Sequence, residues 1–401
     1  MVYAHKPFGA IRAEVFTMEG KLKLEVLTTP SHFDGVRPQI ENTIVKNRDF
    51  FNFKMTEIPH MKVAVDSLRK GTADLLAMSI EQWKTLDNKG LQISAFLPRR
   101  EPTWVLVADD KPEYLPYRGK IVCENELITR QLLRMRPDLE VVTLAAFLQG
   151  RPDEIGEGII EQDEELLLLE KLHVDGSIDG YAIPRGKFGQ IKSRVRRHTL
   201  GMQREKPSQE FERSTFIPPP LQGFTVLVSR ADFPKKVIAR LNDSATELCY
   251  EIENHIFESL NDKIKHVCGL FVEQKKLSTI LKHYVKLIDD SYALKIGENY
   301  LIPSKKKSRD SRTQWSPSRN VAHGPRICIY FEVLGKNSDV SFEMVRIEPI
   351  SGNSLDRAKN IFIKEIKFLV DLLQRDHDEL NRLISGLPPE YQAAKPGLLK
   401  L

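Results

Sequence analysis

The side chains of this chain that could act as nucleophiles or metal ligands are few and far apart. Its four cysteines, Cys123, Cys249, Cys268 and Cys328, are widely spaced along the 401 residues. No CxxC pair and no cluster of cysteine with histidine occurs, so the sequence does not indicate a zinc site. We expect reduced thiols that pack as small apolar groups. The P-loop, GxGxxG, GxSxG and HExxH motifs are also absent, which argues against the nucleotide-binding, hydrolase and protease chemistries that they mark.

Two basic runs could bind anions. Residues 185–206 and 305–312 are both rich in lysine and arginine, and such runs can contact phosphates or RNA. Phe188 is the one phenylalanine, tyrosine or tryptophan in the first run, so stacking of bases has little support there. The net charge of the whole chain is only +5. We therefore expect solvated loops or a partner surface, and no nucleic-acid partner.

The composition predicts a globular protein of two or three domains. The hydrophobic content is 41%, and no apolar run approaches the ~20 residues that a membrane helix needs. The N-terminal residues lack the apolar core of a signal peptide. The sequence therefore predicts a cytoplasmic protein with no membrane partner.

Strands and helices alternate over the first half of the chain, which indicates parallel α/β layers. The sequence predicts buried strands at Leu22–Thr28, Ala73–Met78 and Gly119–Cys123. It predicts a helix over His60–Lys70, where Gly71 follows as a C-terminal cap.

The last third of the chain predicts a smaller α+β layer. A long helix over Lys235–Leu260 has a possible break near Asp243, and a strand follows at Cys268–Glu273. Ile327–Leu334 and Val340–Ile347 are expected to pair as strands before a final helix.

Three prolines stiffen the chain between two of these elements. Pro218–Pro220 must run extended, and Gly223 permits a tight turn before the strand Phe224–Val228. The segment Phe216–Arg230 resembles the interdomain crossing of the porphobilinogen deaminase (hydroxymethylbilane synthase) family, which has the pattern F-L-P-A-P-G-Q-G-A-L-A-I-E-C-R. Leu68–Ser79 is similar to the family's L-x-x-G-E-I-D-L-A-V-H-S, and Gln131–Leu139 is similar to its Q-L-L-x-x-R-P-D-L. The resemblance covers roughly residues 22–275.

The resemblance implies an α/β fold with two similar doubly wound, periplasmic-binding-protein-like domains and a smaller α+β third domain. It also implies a division of the chain. We expect an N-terminal extension at 1–21, domain 1 at 22–101 with 196–220, domain 2 at 102–195, domain 3 at 221–385 with an insertion at 276–326, and an irregular tail at 386–401.

In the first domain, the residues that would do the family's chemistry are largely replaced. The family continues with L-K-D, whose aspartate is the central catalytic acid, and Gln82 occupies that position here. Glutamine cannot ionise or exchange a proton at neutral pH. The neighbouring Glu81 could replace the acid or lie in solvent, and on a strand its side chain would face away from that of Gln82. Thr28 and Ser31 match the family's G-T-R-x-S, but its substrate-binding arginine is Thr29.

The substrate clamp of the second domain is also altered. The family's paired arginines in G-T-S-S-L-R-R become Leu127 and Ile128, which cannot make charge-assisted bonds to carboxylates. Arg130 could reach part of the same helix face or form a helix-face salt bridge. When the family's segment R-G-N-V-N-T-R is aligned with residues 145–151, only its last arginine is retained, as Arg151. The cleft candidates are therefore Thr28, Ser31, Ser79 and Arg151.

The third domain lacks the family's cofactor cysteine at the expected position. Leu241–Leu260 resembles the family's L-x-D-x-x-T-x-x-C helix, although its glutamate falls on Ile252, with Glu251 and Glu253 on either side. The cysteine that carries the covalent dipyrromethane in the family corresponds to Ile264, which cannot form a thioether. Cys268 is the alternative, if a loop rearrangement presented its thiol. We expect no metal and no cofactor, with dipyrromethane bound only if the chain is active.

Three functions remain open from the sequence. The first is a catalytically degenerate relative of the deaminases of tetrapyrrole (haem) biosynthesis, a pseudoenzyme that binds a small molecule or a protein partner. The second is a divergent but active hydroxymethylbilane synthase. The third is an unrelated solute-binding module with a cleft between paired α/β domains. The joint replacement of acid, thiol and arginines favours the first.

Overall fold

The computed structural model describes residues 21–29, 35–149, 162–188, 195–201, 216–280, 325–335, 341–350, 352–373, 379, 382 and 385–386. Several sequence predictions fall outside these residues. They are the extension before residue 21, residues 281–324 of the expected insertion with the 305–312 basic run, and the tail beyond residue 386.

Three β-sheets organise the described residues. The first sheet contains β1 (Leu22–Thr28), β2 (Phe51–Glu57), β3 (Leu75–Ser79), β4 (Leu91–Phe96) and β10 (Thr225–Arg230). The second contains β5 (Trp104–Val107), β6 (Lys120–Cys123), β7 (Glu140–Val142), β8 (Gly180–Pro184) and β9 (Arg197–Leu200). The third contains β11 (Cys268–Lys276), β12 (Pro325–Leu334) and β13 (Ser341–Pro349).

Several α-helices of the described residues connect or cover these strands. They are α1 (Val36–Asn47), α2 (Met61–Arg69), α3 (Ile80–Thr85), α4 (Glu126–Met135), α5 (Leu144–Leu148), α6 (Gln162–Val174), α7 (Arg185–Phe188), α8 (Ser244–Glu258), α9 (Asp262–Lys265) and α10 (Gly352–Leu373). Short 3₁₀ turns lie at Pro112–Tyr114 and Lys235–Leu241.

The first two sheets have the same topology. Their strand orders are β2-β1-β3-β10-β4 and β7-β6-β8-β5-β9. In each sheet the first three strands are parallel, and the fourth strand is antiparallel to both of its neighbours. The third sheet is antiparallel in the order β11-β12-β13. The predicted fold, with two similar doubly wound sheets and a smaller α+β layer, is confirmed.

The chain forms two compact units. One consists of Met1–Arg100 with Gly223–Glu247, and the other of Glu101–Gln222 with Leu248–Leu401.

Two strands pair in sheets other than those that the predicted domain division implies. β9 lies in the 196–220 segment assigned to domain 1 but pairs with β5 in the second sheet. β10 lies in the 221–385 segment assigned to domain 3 but pairs with β3 and β4 in the first sheet.

The reason for this difference is a feature of the topology that local pattern does not reveal. The antiparallel strand of the first sheet is supplied by the returning chain, since Thr225 lies opposite Ser79 and Val226 opposite Phe96. Both faces of β10 are buried, and this continuous apolar run is typical of a central strand. The remaining domain boundaries stay predictions.

Each unit has its own apolar core. In the first, Val26, Leu75 and Leu227 pack together from three neighbouring strands. In the second, Leu106 and Ile121 pack with side chains of α4. Among the described residues, no helix is both long and apolar enough to cross a membrane.

Candidate functional site

Two of the predicted cleft residues end neighbouring strands of the first sheet. Thr28 is the last residue of β1 and Ser79 the last residue of β3, and both are almost fully buried. Thr28 Oγ1 donates to the carbonyl of Thr29 at 3.2 Å. Ser79 Oγ accepts from the backbone N–H of Gln82 at 3.2 Å. These hydroxyl groups are thus engaged by nearby backbone, while Ser31 lies outside the described residues.

Gln82, at the expected position of the catalytic acid, completes a helix cap. Its Oε1 accepts from the backbone N–H of Ser79 at 2.9 Å, so the two residues form a reciprocal capping box. The box satisfies two N–H groups that would otherwise lack partners at the start of α3. Gln82 therefore contributes an acceptor to the backbone and offers no ionisable proton.

The capping box also shows that Glu81 and Gln82 lie in a helix, where the sequence analysis considered a strand. The prediction that Glu81 and Gln82 continue a strand is wrong, because the strand ends at Ser79 and α3 begins at Ile80. Glu81 is exposed in the first turn of α3, where a negative charge interacts favourably with the helix dipole. It is a surface acid of a helix and not a second acid of a strand.

Two arginines that follow β4 supply positive charge at the same edge of the first sheet. Arg100 Nε donates to Thr225 Oγ1 at 3.1 Å, and a Cβ at Gly35 would lie 2.8 Å from Arg100 Nη1. The guanidinium of Arg99 lies 3.9 Å from the ring centre of Phe224. The sequence analysis did not single out this Arg-Arg pair, which follows β4 and Pro98.

The residues that replace the family's paired arginines belong to the core of the second unit. Leu127 and Ile128 are each 1% exposed, on the inner side of α4. Asn125 caps this helix by accepting from the backbone N–H of Ile128 at 3.1 Å. Neither Leu127 nor Ile128 could be replaced by a charged clamp without breaking this packing.

Arg130 forms the predicted helix-face salt bridge and a second bond. Its Nε lies 2.9 Å from Glu126 Oε1, one turn earlier in α4. Its Nη1 donates to the carbonyl of Leu334 in β12 at 2.9 Å. Arg130 therefore connects α4 to the third sheet.

Glu124 has a capping role at the start of α5. Its Oε1 accepts from the backbone N–H of Leu144 at 2.6 Å, and Thr143 Oγ1 accepts from that of Ala146 at 3.2 Å. The strand β7 ends at Val142, because these caps start a helix at Leu144. Arg151, the arginine that the resemblance retained, lies outside the described residues.

A buried carboxylate that the sequence analysis did not single out connects α4 to β12. Glu332 is fully buried and accepts from Gln131 Nε2 at 2.7 Å and from Arg134 Nη1. Gln131 Nε2 also donates to the carbonyl of Ile217 at 2.9 Å. One helix thus holds both the third sheet and the proline-rich crossing.

A second buried carboxylate, Glu253 of α8, holds the other end of the crossing. Its Oε1 accepts from the backbone N–H of Leu221 at 2.5 Å, and its Oε2 from that of Val272 at 3.0 Å. Leu221 has a φ of 65°, which is costly for a residue with a branched side chain. The two hydrogen bonds of Glu253 stabilise this backbone against β11.

The two positions considered for a covalent cofactor are both buried in the third layer. Ile264 lies in α9 and Cys268 is the first residue of β11, with 1% of its surface exposed. Burial raises the pKa of the Cys268 thiol to about 12. A thiol with so little thiolate at neutral pH is a poor nucleophile, which does not favour the alternative attachment at Cys268.

We predict that the purified chain has the mass of the unmodified polypeptide and that Cys268 resists alkylation at pH 8 until the protein is unfolded. The reason is the buried, protonated state of the thiol. Intact and peptide mass spectrometry after brief treatment with iodoacetamide would measure both quantities. An added dipyrromethane mass, or rapid labelling of Cys268 in the folded protein, would contradict the prediction.

Across the described part of the chain, no group of three or more histidine, cysteine, aspartate or glutamate side chains could hold a metal ion. The features that the described residues do provide are polar strand ends, two arginines at the edge of the first sheet, and carboxylates used for structure. They define a doubly wound α/β protein whose strand ends carry hydroxyl and guanidinium groups.

Comparison with known proteins gives one limited sequence match. No protein-family model matches the chain. It is 28% identical over 95 residues to porphobilinogen deaminase from Campylobacter concisus (strain 13826), which covers 23% of this chain and 31% of that protein. The match thus spans less than a third of the length of the curated relative.

Solved structures resemble the chain only distantly. YhfZ from Shigella flexneri is 15% identical with a TM-score of 0.28, and the match covers 58% of this chain and 93% of that one. A variant of the OxyR2 regulatory domain from Vibrio vulnificus is 14% identical with a TM-score of 0.31, covering 59% and 99%.

Proposed function

We propose that this chain is a relative of porphobilinogen deaminase that no longer turns over porphobilinogen and acts by binding a small ligand or a protein partner. The observation that carries the proposal is Gln82. At the position where the resemblance expects the catalytic aspartate, this neutral side chain closes a capping box with Ser79. A positioned acid contributes typically ~10²–10⁴-fold to a rate, and none is available there.

Two further observations support the loss of turnover. Leu127 and Ile128 are core residues of α4, so the clamp for substrate carboxylates has no counterpart at those positions. Ile264 and the buried Cys268 provide no reactive thiol for the family's covalent cofactor. Each loss alone could be compensated, but their combination favours a binding protein. We also propose a cytoplasmic location, which would give access to tetrapyrrole precursors.

We predict no conversion of porphobilinogen to hydroxymethylbilane above the blank without protein. The missing acid accounts for about 10²–10⁴-fold, and the missing clamp lowers the rate further. A coupled assay that follows uroporphyrin fluorescence measures the rate. Porphobilinogen deaminase from Campylobacter concisus serves as the positive control under the same conditions.

The assay separates the proposal from its alternatives. Turnover that is abolished by Cys268→Ser would establish a divergent active synthase and would overturn the proposal. Calorimetric titration with porphobilinogen addresses the binding site without catalysis. Micromolar binding in the absence of turnover would support a degenerate deaminase that keeps its ligand, and loss of both would favour a partner or an unrelated solute.

A further inference from the structure

Among the described strands of the second sheet, β9 is an edge strand with backbone groups on its outer side that pair with no described strand. β9 is the last strand in the order of this sheet and pairs on its inner side with β5. Within the described ranges, no strand pairs with its outer side. An unpaired edge presents a row of N–H and C=O groups that another extended chain can bind.

Two arginines lie along one face of this edge. Arg197 and Thr199 are two residues apart and therefore project to the same side of the sheet. The guanidinium of Arg197 lies 5.1 Å from the ring centre of Phe188 in α7. Arg185, also in α7, donates from Nη1 to Thr199 Oγ1 at 3.1 Å. The α7–β9 face, defined as Arg185, Arg197 and Thr199, is thus contiguous and positive.

The charges of this face are not neutralised by the described residues. The salt bridges of the described residues do not include Arg185 or Arg197. Asp109 and Asp110 follow the end of β5 at which Val107 pairs with Arg197, and Asp109 lies 4.0 Å from His173 Nε2.

We propose that the α7–β9 face binds an acidic, extended segment of a partner protein, which adds to β9 as a further strand. Main-chain hydrogen bonds to β9 would hold the segment, as in other strand-addition complexes. Its acidic side chains would occur at every second position, because alternate residues of a strand share a face. Those carboxylates would contact Arg197 and Arg185, because their negative charge complements the positive charge of the face.

The same surface is less suited to a nucleic acid. Phe188 is the one phenylalanine, tyrosine or tryptophan of α7 and β9, and it is buried with the guanidinium of Arg197 5.1 Å from its ring centre. Binding of single strands commonly uses exposed aromatic rings on which bases stack, and this face presents none among the described residues. The free strand edge favours a peptide, because it offers a peptide the backbone partners that a phosphodiester chain cannot use.

The residues of this face are different from the positions discussed for deaminase chemistry. The proposal therefore goes beyond the proposed function and does not depend on whether porphobilinogen is converted. It identifies one chemical class of partner, an acidic peptide with alternating carboxylates.

The test uses the full chain and a fluorescein-labelled peptide of alternating glutamate and threonine. Fluorescence anisotropy at low salt measures its dissociation constant. Two comparison peptides are matched to it, one with the same residues in a single glutamate block and one N-methylated at the threonines. We expect saturable binding of the alternating peptide, and at least about tenfold weaker binding of both comparison peptides.

Protein variants test the two arginines. Arg185→Glu and Arg197→Glu should each weaken binding at least about tenfold, because like charges then oppose one another. Lys62→Glu, at an exposed lysine of α2, is the matched control and should leave binding unchanged. Absence of saturable binding would overturn the proposal. So would equal affinity for the comparison peptides, an equal effect of Lys62→Glu, or tighter binding of a single-stranded oligonucleotide of the same charge.

Discussion

Replacing Glu332 with alanine is expected to lower the free energy of unfolding of the second unit by about 3–5 kcal/mol. The carboxylate of Glu332 is fully buried and accepts from Arg134 and Gln131 of α4. Its removal takes away the carboxylate that the guanidinium of Arg134 and the side-chain amide of Gln131 both contact, and that guanidinium is only 18% exposed. Breaking a buried pair is costly because the surviving charge has already been taken out of water by folding.

The measurement is urea denaturation read by hydrogen exchange of the β11 and β12 amides, which reports on this unit separately. Glu140→Ala is the matched control, since Glu140 pairs with Arg118 at 2.8 Å on the surface and this change should cost less than about 1 kcal/mol. A double change of Glu332→Leu with Arg134→Met should recover much of the loss. Equal effects of Glu332→Ala and Glu140→Ala would show that the buried pair does not hold the third sheet.

Much of the fold follows from local pattern. The predicted strand Leu22–Thr28 has the same bounds in the structure, and the possible break near Asp243 separates the 3₁₀ turn ending at Leu241 from α8. Such features depend on residues close together in the chain, because apolar periodicity and caps decide them. Pattern does not decide which sheet receives β9 and β10, since that depends on the path of the chain between domains.

In the candidate site, too, local sequence pattern predicts some features and misses others. The Ser79-x-x-Gln82 spacing is a capping-box signal, and it could have shown that a helix begins at Ile80. The apolar run from Leu75 through Ile80 concealed it, since Ile80 is buried like the strand before it. The sequence shows that Gln82 cannot ionise. Its role in the capping box can be predicted only after the helix that begins at Ile80 has been recognised.

The partner of Glu332 could not be derived from spacing. Gln131 and Arg134 lie about 200 residues earlier in the chain. The available signal was the acid itself, the one carboxylate in the apolar second half of β12. A charge in that setting must find a partner, although the sequence does not say which one.

Replacing Glu253 with alanine is the other change for which we expect a large loss, about 3–5 kcal/mol in the free energy of unfolding of the second unit. Each oxygen of this fully buried carboxylate accepts a backbone N–H, from Leu221 and from Val272. A hydrogen bond to a charged group contributes about 1.5–3 kcal/mol, and the alanine variant leaves both donors buried and without that acceptor.

The loss should have a local signature at the crossing. Leu221 keeps its φ of 65° only while the surrounding bonds hold it, so its amide and those of β11 should exchange faster in the variant. Glu251→Ala is the control, because Glu251 is an exposed residue of the same helix and its loss should change stability by less than about 0.5 kcal/mol. Hydrogen-exchange mass spectrometry on both variants makes the comparison. If Glu253→Ala left exchange at Leu221 unchanged, the strained turn would have to be held by the bonds from Gln131 to Ile217 and from Leu270 to Pro218 instead.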